Sequence, residues 1–405
     1  MDSGLVDVAT GDVLLVHRDV MRPGALPLVV GRVYRSSWRA GRWFGRSWAS
    51  ALDQRLRVTS ERVTGVFGDG RVLSWRCTQA TNGPRPVTGL PVTGPKWRLE
   101  GADGDFTVTD PQAGLTWRFE RRPGYRWSAD QTGELPLVAV TDRAGHQIGY
   151  HCTRAGHPAW ITHSAGYRVR IVMDGNRVTA LALDHGPLSQ ETTLVRYGFN
   201  PAGDLAAVID PADRALCFGY DEEGRLTGWD DGAGTSYRYR YDRRGRCVAG
   251  ADPDGLMSAT FTYGDGVTWR TDTAGAVTTY QLDESSRVAA VTDALGSVTR
   301  YSYDENGRVT AIIGPNGLGV EPAGQAFTQP CYYDPVTEVA HNPRVVLAGP
   351  PVQADPGPGF PDFAPLISGM THGTGPDPED AAGNLNGRPA GNAERLRWTN
   401  GWAAP

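Results

Sequence analysis

The amino-acid sequence predicts an all-β fold: consecutive antiparallel hairpins forming a curved, spiralling repeat sheet, preceded by an N-terminal β domain. Three observations carry that prediction. The first is a repeat. Phe199-Asn200, Tyr220-Asp221 and Tyr241-Asp242 stand 21 residues apart, Leu282-Asp283 follows 41 residues on and Tyr303-Asp304 a further 21, with Tyr263-Gly264 as a worn copy inside the gap. A fixed period of this length marks stacked supersecondary units, none of which buries its apolar face alone. The second is turn chemistry. Asn/Asp-x-x-Gly recurs at Asn200–Gly203, Asp221–Gly224, Asp242–Gly245 and Asp304–Gly307, and midway between them at Asp231–Gly234, Asp252–Gly255, Asp272–Gly275 and Asp293–Gly296. The acidic or amide side chain accepts a nearby backbone N–H and the glycine takes a left-handed conformation, which together make a type I turn closed by a glycine bulge. The third is spacing. Turns this frequent leave about six residues between them, the usual length of a strand and too short for a useful helix.

Along the chain, residues 1–130 read as an opening β domain. Strands are expected over Asp12–Val16, Leu26–Tyr34, and Leu56–Val63 against Val66–Trp75, with Phe67–Leu73 as a hairpin loop by composition. Residues 131–318 form the repeat array, worn before about 197 and clearest over 197–313. In Tyr237-Arg-Tyr239-Arg-Tyr241 the rings share one face and the arginines the other, the period of a pleated strand. Residues 319–405, rich in Gly and Pro, read as linker or disorder.

Tyr220-Asp-Glu-Glu-Gly-Arg-Leu226, Tyr241-Asp-Arg-Arg-Gly-Arg246 and Tyr303-Asp-Glu-Asn-Gly-Arg-Val309 resemble the YD repeats of the Rhs superfamily. Val6-Asp-Val-Ala-Thr-Gly-Asp-Val13, Tyr34-Arg-Ser-Ser37, Gly45-Arg-Ser-Trp48 and Thr107-Val-Thr-Asp-Pro-Gln-Ala-Gly-Leu-Thr-Trp117 resemble the domain that precedes such repeats. The resemblance covers roughly residues 4–318. It implies a sheet that winds into a shell around a toxic cargo. The signature residues it assigns to structure are Tyr220, Asp221, Gly224, Arg225, Tyr241, Asp242, Gly245, Arg246, Tyr303, Asp304, Gly307 and Arg308. With so few clear repeats, a stretch of shell wall is expected rather than a closed container, with an unprotected strand edge near Val309–Ile313 unless a partner or the tail covers it.

Composition narrows the function. The chain has 405 residues, 52 Gly, 29 Pro and a net charge of −5, with Lys96 the single lysine. That balance argues against a general nucleic-acid or anionic-membrane partner. Interleaved arginines and aromatics in Tyr34–Trp48 could stack on single-stranded nucleic acid, but core rings with arginines laid over them explain the segment better. Five scattered cysteines make neither a disulfide framework nor a zinc site, and Cys217 and Cys247 read as core thiols. No signal peptide and no membrane-spanning run is visible, so export would need a specialised route, and a truncated chain would stay in the cytoplasm.

No catalytic, cofactor-binding or metal residues are nominated. His151, His157 and His163 recur every six residues, but they lack the tight pair and carboxylate of a metal site. The array's many Asp residues occupy turn positions rather than acid/base pairs. The arginines that follow the turns (Arg225, Arg246, Arg287, Arg308) read as outward residues pairing with neighbouring Asp or Glu. In the tail, Asp355-Pro356-Gly357 does not match the family's closing motif, Tyr332-Tyr-Asp-Pro335 resembles a YD start with no Gly-Arg after it, and His341 and His372 are too few to nominate a nuclease.

The function expected is therefore a non-enzymatic scaffold for encapsulation or delivery of a toxic cargo in bacterial competition, with the cargo or other Rhs-type segments as partners. One alternative is a cell-surface carbohydrate-binding module stacking sugars on Tyr237, Tyr239, Tyr301 and Tyr303, which requires those rings to be exposed. A second is a small toxin domain in residues 321–405.

Overall fold

The structure, a computed structural model, describes residues 5–77, 87–92, 94–102, 104–121, 133–186, 190–305, 309–317, 319–320 and 345–347. Among them every regular element is a strand. The tail motifs named above, together with Gly307, Arg308, Cys331, His341 and His372, lie outside the described residues.

The chain opens with a leading sheet of β1 (Leu5–Asp7), β2 (Val13–Arg22), β3 (Leu28–Arg35) and β4 (Trp48–Ser50). The Val6–Val13 and Tyr34–Ser37 motifs meet in one polar clasp that fixes its first turn. The Asp12 carboxylate accepts from Arg35 Nε at 2.7 Å, Ser37 Oγ at 2.7 Å and Ser36 Oγ at 3.2 Å, while Val13 N–H donates to Ser36 Oγ at 3.0 Å. Along β3 the residues Leu28, Val30, Arg32 and Tyr34 share one parity and all point into the core.

The next eight strands form a small barrel: β5 (Arg55–Val58), β6 (Arg62–Val66), β7 (Val72–Arg76), β8 (Val87–Gly89), β9 (Arg98–Ala102), β10 (Asp105–Asp110), β11 (Leu115–Glu120) and β12 (Gly133–Asp142). The single strand expected over Leu56–Val63 is broken into β5 and β6 by a turn in which Thr59 and Arg62 are hydrogen-bonded. The barrel closes because β12 forks. Its first residues, Gly133–Pro136, pair with β5, its later ones pair with β11, and Ala139–Thr141 hand the sheet on to the array. On the far side, Val92 N–H bonds to Ser74 C=O of β7. Inside lie Leu56, Phe67, Trp75, Trp97, Leu99, Phe106 and Phe119, with Phe67 edge-on to Trp97 at 5.0 Å and Trp97 stacked on Trp117 at 4.8 Å.

The array follows as a meander of antiparallel hairpins. Its strands are β13 (Gln147–Cys152), β14 (Pro158–His163), β15 (Arg168–Asp174), β16 (Arg177–Asp184), β17 (Thr192–Phe199), β18 (Leu205–Ile209), β19 (Ala215–Tyr220), β20 (Leu226–Asp230) and β21 (Ser236–Tyr241). It continues with β22 (Cys247–Ala251), β23 (Ala259–Tyr263), β24 (Val267–Asp272), β25 (Val277–Leu282), β26 (Val288–Thr292), β27 (Val298–Tyr303), β28 (Val309–Ile313) and β29 (Gly319–Val320). A register shift falls immediately before Phe199, Tyr220, Tyr241, Leu282 and Tyr303, and the midway hairpins carry none. Over residues 199–303 these extra residues therefore accumulate at one end of the strands, whereas in the worn part of the array β16–β17 also shift, between Leu181 and Ala182. Each bulge bends and twists its strand, and bulges confined to one end curl the sheet. The array stays open: among the described residues β29 pairs with β28 alone, through Ile312 and Ile313, so the edge expected at Val309–Ile313 is covered at its last two residues.

Residues 5–50 and 55–142, read together in the sequence as one opening region, enter different cores. The leading sheet shares a continuous core with the array, including Val6, Val30, Tyr34, Phe44, Trp48, Phe218, Tyr237 and Val288, while the barrel keeps its own. A last strand, β30 (Val345–Leu347), pairs antiparallel with β1 and brings the leading sheet to five strands.

Candidate functional site: the seam between the leading sheet and the array

The signature residues form a latch between one repeat and the next. At the turn, Asp221 Oδ1 accepts the Arg225 N–H and Asp221 Oδ2 accepts Arg225 Nε, each at 2.7 Å. Asp242 holds Arg246 and Asp283 holds Arg287 in the same way. The guanidinium so fixed lies over the aromatic ring of the following repeat: Arg225 over Tyr241 at 4.9 Å, Arg246 over Tyr263 at 4.5 Å and Arg287 over Tyr303 at 4.6 Å. That ring's hydroxyl donates to the carbonyl just past the arginine, Tyr241 to Leu226 at 2.8 Å and Tyr303 to Val288 at 2.7 Å. Tyr220 reaches the equivalent Leu205 carbonyl at 2.7 Å. Burial raises the Asp242 carboxyl pKa, but the N–H and guanidinium of Arg246 outweigh it and hold the group below the usual carboxylate range.

The latch has a by-product. Bulging frees the N–H of the residue that follows the turn arginine, and the leading segment takes it up repeat by repeat. Val178 N–H donates to Trp43 C=O at 3.1 Å, Leu226 N–H to Tyr34 Oη at 2.6 Å and Cys247 N–H to Gly11 C=O at 2.8 Å. Thr268 Oγ1 donates to Val8 C=O at 2.6 Å in the next repeat. Between the first two contacts Gly45 sits against the backbone of Gly203 and Asp204. Gly11 has φ +74°, and a Cβ there would overlap the side chain of Arg246. The leading segment thus tracks five consecutive repeats, through backbone–backbone bonds at Val178 and Cys247 and side-chain hydroxyls at Tyr34 and Thr268.

At the centre of the seam is a buried ion pair. Arg32 binds Asp19 through Nε at 2.5 Å and Nη2 at 2.7 Å, and Tyr197 Oη donates to Asp19 Oδ2 at 2.9 Å. The guanidinium is enclosed by Trp48 at 4.7 Å and by Phe44 and Tyr197, each at 5.6 Å. Burial lowers the Arg32 pKa, but the Asp19 carboxylate more than restores it, so the guanidinium stays charged. His17 lies across the strand pair from Arg32, its ring tilted against Trp48 at 6.0 Å and edge-on to Phe218 at 5.6 Å. Burial, then the nearby Arg32 charge, lowers its pKa to about 3 against the opposing pull of Asp19.

The sequence-nominated residues land as follows. The Asp, Arg and Tyr side chains of the repeats join one repeat to the next, and the arginines pair with the Asp of their own turn and cover the next ring. Tyr237 and Tyr239 are buried, with Tyr237 Oη donating to Met257 C=O at 2.8 Å, while Tyr301 and Tyr303 are half-buried. Sugar stacking on these rings required them to be exposed, and inward packing on the core side of the sheet contradicts it. Tyr34, Phe44 and Trp48 are buried core rings rather than a stacking platform. His151 bonds Thr162, His157 packs edge-on to Trp43, and His163 accepts from Ala165 N–H at Nδ1 and so donates from Nε2 to Leu26 C=O at 2.8 Å. Cys247 is buried and its thiol is pushed up to about 12, mainly by burial. Sequence reasoning missed Asp19, Arg32 and His17. The signal for Arg32 was its parity with Leu28, Val30 and Tyr34; Asp19 is the extra residue of a bulge between Arg18 and Val20, which alternation conceals.

A family model described as a domain of unknown function (DUF6531) matches residues 4–75, and the RHS Repeat model matches residues 220–257 and 283–318. No curated protein matches the sequence. Among solved structures, a TccC3 mutant of the Photorhabdus luminescens Tc holotoxin pore aligns at 11% identity over 75% of this chain and 22% of that chain, with a TM-score of 0.31. The TcdB2-TccC3 structure aligns at 13% identity over 76% of this chain and 19% of that one, with a TM-score of 0.27. The N-terminal domain of the effector protein SpvB from Salmonella typhimurium strain LT2 aligns at 15% identity over 80% of this chain and 99% of that one, with a TM-score of 0.24. The chain spans about a fifth of the length of the first two. With the Tyr-Asp-x-x-Gly-Arg latch repeated through the array and two stretches of it matched by the RHS Repeat model, this chain carries RHS (YD) repeats over residues 220–257 and 283–318.

Proposed function

We propose that this chain is a non-enzymatic scaffold, a stretch of RHS-repeat wall that holds or delivers a toxic cargo in bacterial competition and leaves the cell by a specialised route. The observation that carries the reading is the latch. Asp, Arg and Tyr side chains that look like chemistry in the sequence are occupied in tying one repeat to the next, so what the array offers is a continuous curved sheet. The second support is the open end. The last strands carry an edge to which further repeat strands, from a longer chain or a partner, would add by main-chain pairing.

The test is growth of bacteria in which the full chain, or residues 321–405 alone, is induced. Arrest by 321–405 alone, relieved in the full chain, is the result expected of a scaffold with captive cargo. Arrest by the full chain that persists when residues 321–405 are scrambled would place a toxic activity in the array and overturn the non-enzymatic reading.

A further inference from the structure

The outward face of the array changes character along its length. From β15 to β21 it is laced with charge: Arg168 pairs with Asp184, Arg170 with Glu191, Arg196 with Asp213 and Arg238 with Asp230. From β23 to β27 the same face is almost uncharged. One row runs in register across these five strands as Thr262, Trp269, Thr279, Thr292 and Val298. The flanking rows bring Thr260, Thr271 and Val277 on one side and Gln281 and Arg300 on the other, and Arg300 is their one ionisable group. The core lies behind them, since Thr268, Arg270 and Tyr280 at the alternate positions are buried.

This panel is also straighter than the rest of the array. Here the repeat is worn: Gly264 stands where other turns have Asp, Val267 where they have the arginine and Leu282 where the next ring would lie. Latch and bulge are both missing, and β24 pairs with β23 and with β25 over five residues each with no register shift. Bulges bend and twist a strand, so their absence leaves β23–β25 flatter than its neighbours. Trp269 anchors the panel. Its ring lies against Gly264, where a Cβ would come within 2.9 Å of it, yet it stays 36% exposed. Val277 and, at the tip of the β26–β27 hairpin, Leu295 are exposed as well.

We propose that this panel is a self-association face, on which a second copy of the chain packs sheet to sheet through the same residues about a two-fold axis. Charge selects the occupant. A charged partner would lose water from its own charges against a face that offers Arg300 alone in return. A second copy brings a matching uncharged panel, and two-fold packing sets Trp269 and its β-branched rows against their own kind. Area sets the strength. The panel spans roughly 24 Å across five strands and roughly 17 Å along them, about 400 Å² in projection, against about 800 Å² per partner in a standard interface. The dimer is therefore weak, with a dissociation constant on the order of 10 μM or above. The inference is independent of the scaffold reading, since the face is the same whatever the array holds.

Sedimentation velocity of the full-length chain from about 1 to about 300 μM tests it. The weight-average mass should rise toward twice that of the monomer, and should not fall as salt is raised, because the contact holds no ion pair. Trp269→Lys and, separately, Thr262→Lys should each weaken association by about tenfold or more, with the circular dichroism of the native chain retained. Arg238→Ala, on the charged stretch of the same face, should leave association unchanged. A chain that stays monomeric over the whole range overturns the proposal. Association that survives both lysine variants, or that dissolves as salt is raised, overturns it too, because the contact would then lie elsewhere on the chain.

Discussion

The barrel and the array close their cores in different ways. The barrel bends β12 back onto β5, so its apolar face is covered by its own strands, and its rings pack on each other. The array cannot do this, because its bulges curl it gradually and its two ends do not meet. Its inner face is covered instead by the leading sheet, and the two share one core. The barrel therefore contains its own stability, while the array borrows stability from residues about 200 positions away in sequence. The array resembles a wall held by a buttress.

The sharpest way to break that distinction is to unbalance the buttress. Asp19→Ala leaves Arg32 buried and charged without its partner and removes the acceptor of the Tyr197 hydroxyl. The expected cost is about 3–5 kcal/mol. Denaturant unfolding of the full chain followed by hydrogen exchange should show array and leading sheet losing protection together while the barrel keeps its own. Simultaneous loss in the barrel would mean that the two cores are one cooperative unit.

Acid should act in the same place. His17 is neutral in the fold, with its pKa lowered to about 3, whereas in an unfolded chain it titrates near its ordinary value. Its contribution is complete above about pH 6.5 and is lost as pH falls toward 3, about 2 kcal/mol by pH 5. The groups facing it are Arg32, which strengthens the effect, and Asp19, which opposes it. Asp53, at the join of leading segment and barrel, has the opposite sign. Burial raises its pKa to about 6 against the charge of Arg55, so its contribution is present at low pH and is lost as pH rises from about 4 through 6. Urea midpoints between pH 7.5 and 5 should fall more for the native chain than for His17→Phe. Equal slopes would dismiss His17 as the acid-sensitive group.

A glycine pair measures the contact itself. Gly11 and Gly255 both have positive φ, +74° and +72°, but a Cβ at Gly255 meets open space while one at Gly11 overlaps Arg246. Gly255→Ala should cost about 1 kcal/mol from backbone strain. Gly11→Ala should exceed it by about 1–2 kcal/mol for displacing the leading turn from the array. Equal midpoint shifts would show that the seam tolerates a gap at this repeat. The smallest effect belongs to a single latch: Tyr241→Phe, losing its bond to Leu226 C=O, should cost about 1 kcal/mol. Exchange should quicken around Leu226 and Tyr241 and nowhere in the barrel.

How much of this was legible follows from the range of each interaction. Turns, strands and the repeat period depend on residues a few positions apart, so Asp221, Gly224 and Arg225 announce their turn in the sequence, and Tyr237 and Tyr239 announce a shared face. The period also places Arg225 beside Tyr241, because they belong to neighbouring strands. Which face of those strands is covered does not follow, because alternation assigns two faces and leaves both free. Tyr237 was a sugar platform on one choice and a core ring on the other. The leading sheet decides, by occupying the tyrosine side.

The sequence by itself determined an all-β repeat, its hairpin turns and the residues of its latch, since hydrogen bonds within a turn and packing between adjacent hairpins are local. Only the tertiary structure decided that β12 closes a barrel onto β5, that Tyr197 of the array bonds the Asp19 of the leading sheet's ion pair, and that the leading segment tracks five repeats from Val178 to Thr268. Each of those joins residues far apart along the chain, where backbone groups freed by bulges and apolar faces left over by the repeats find partners that no local pattern names.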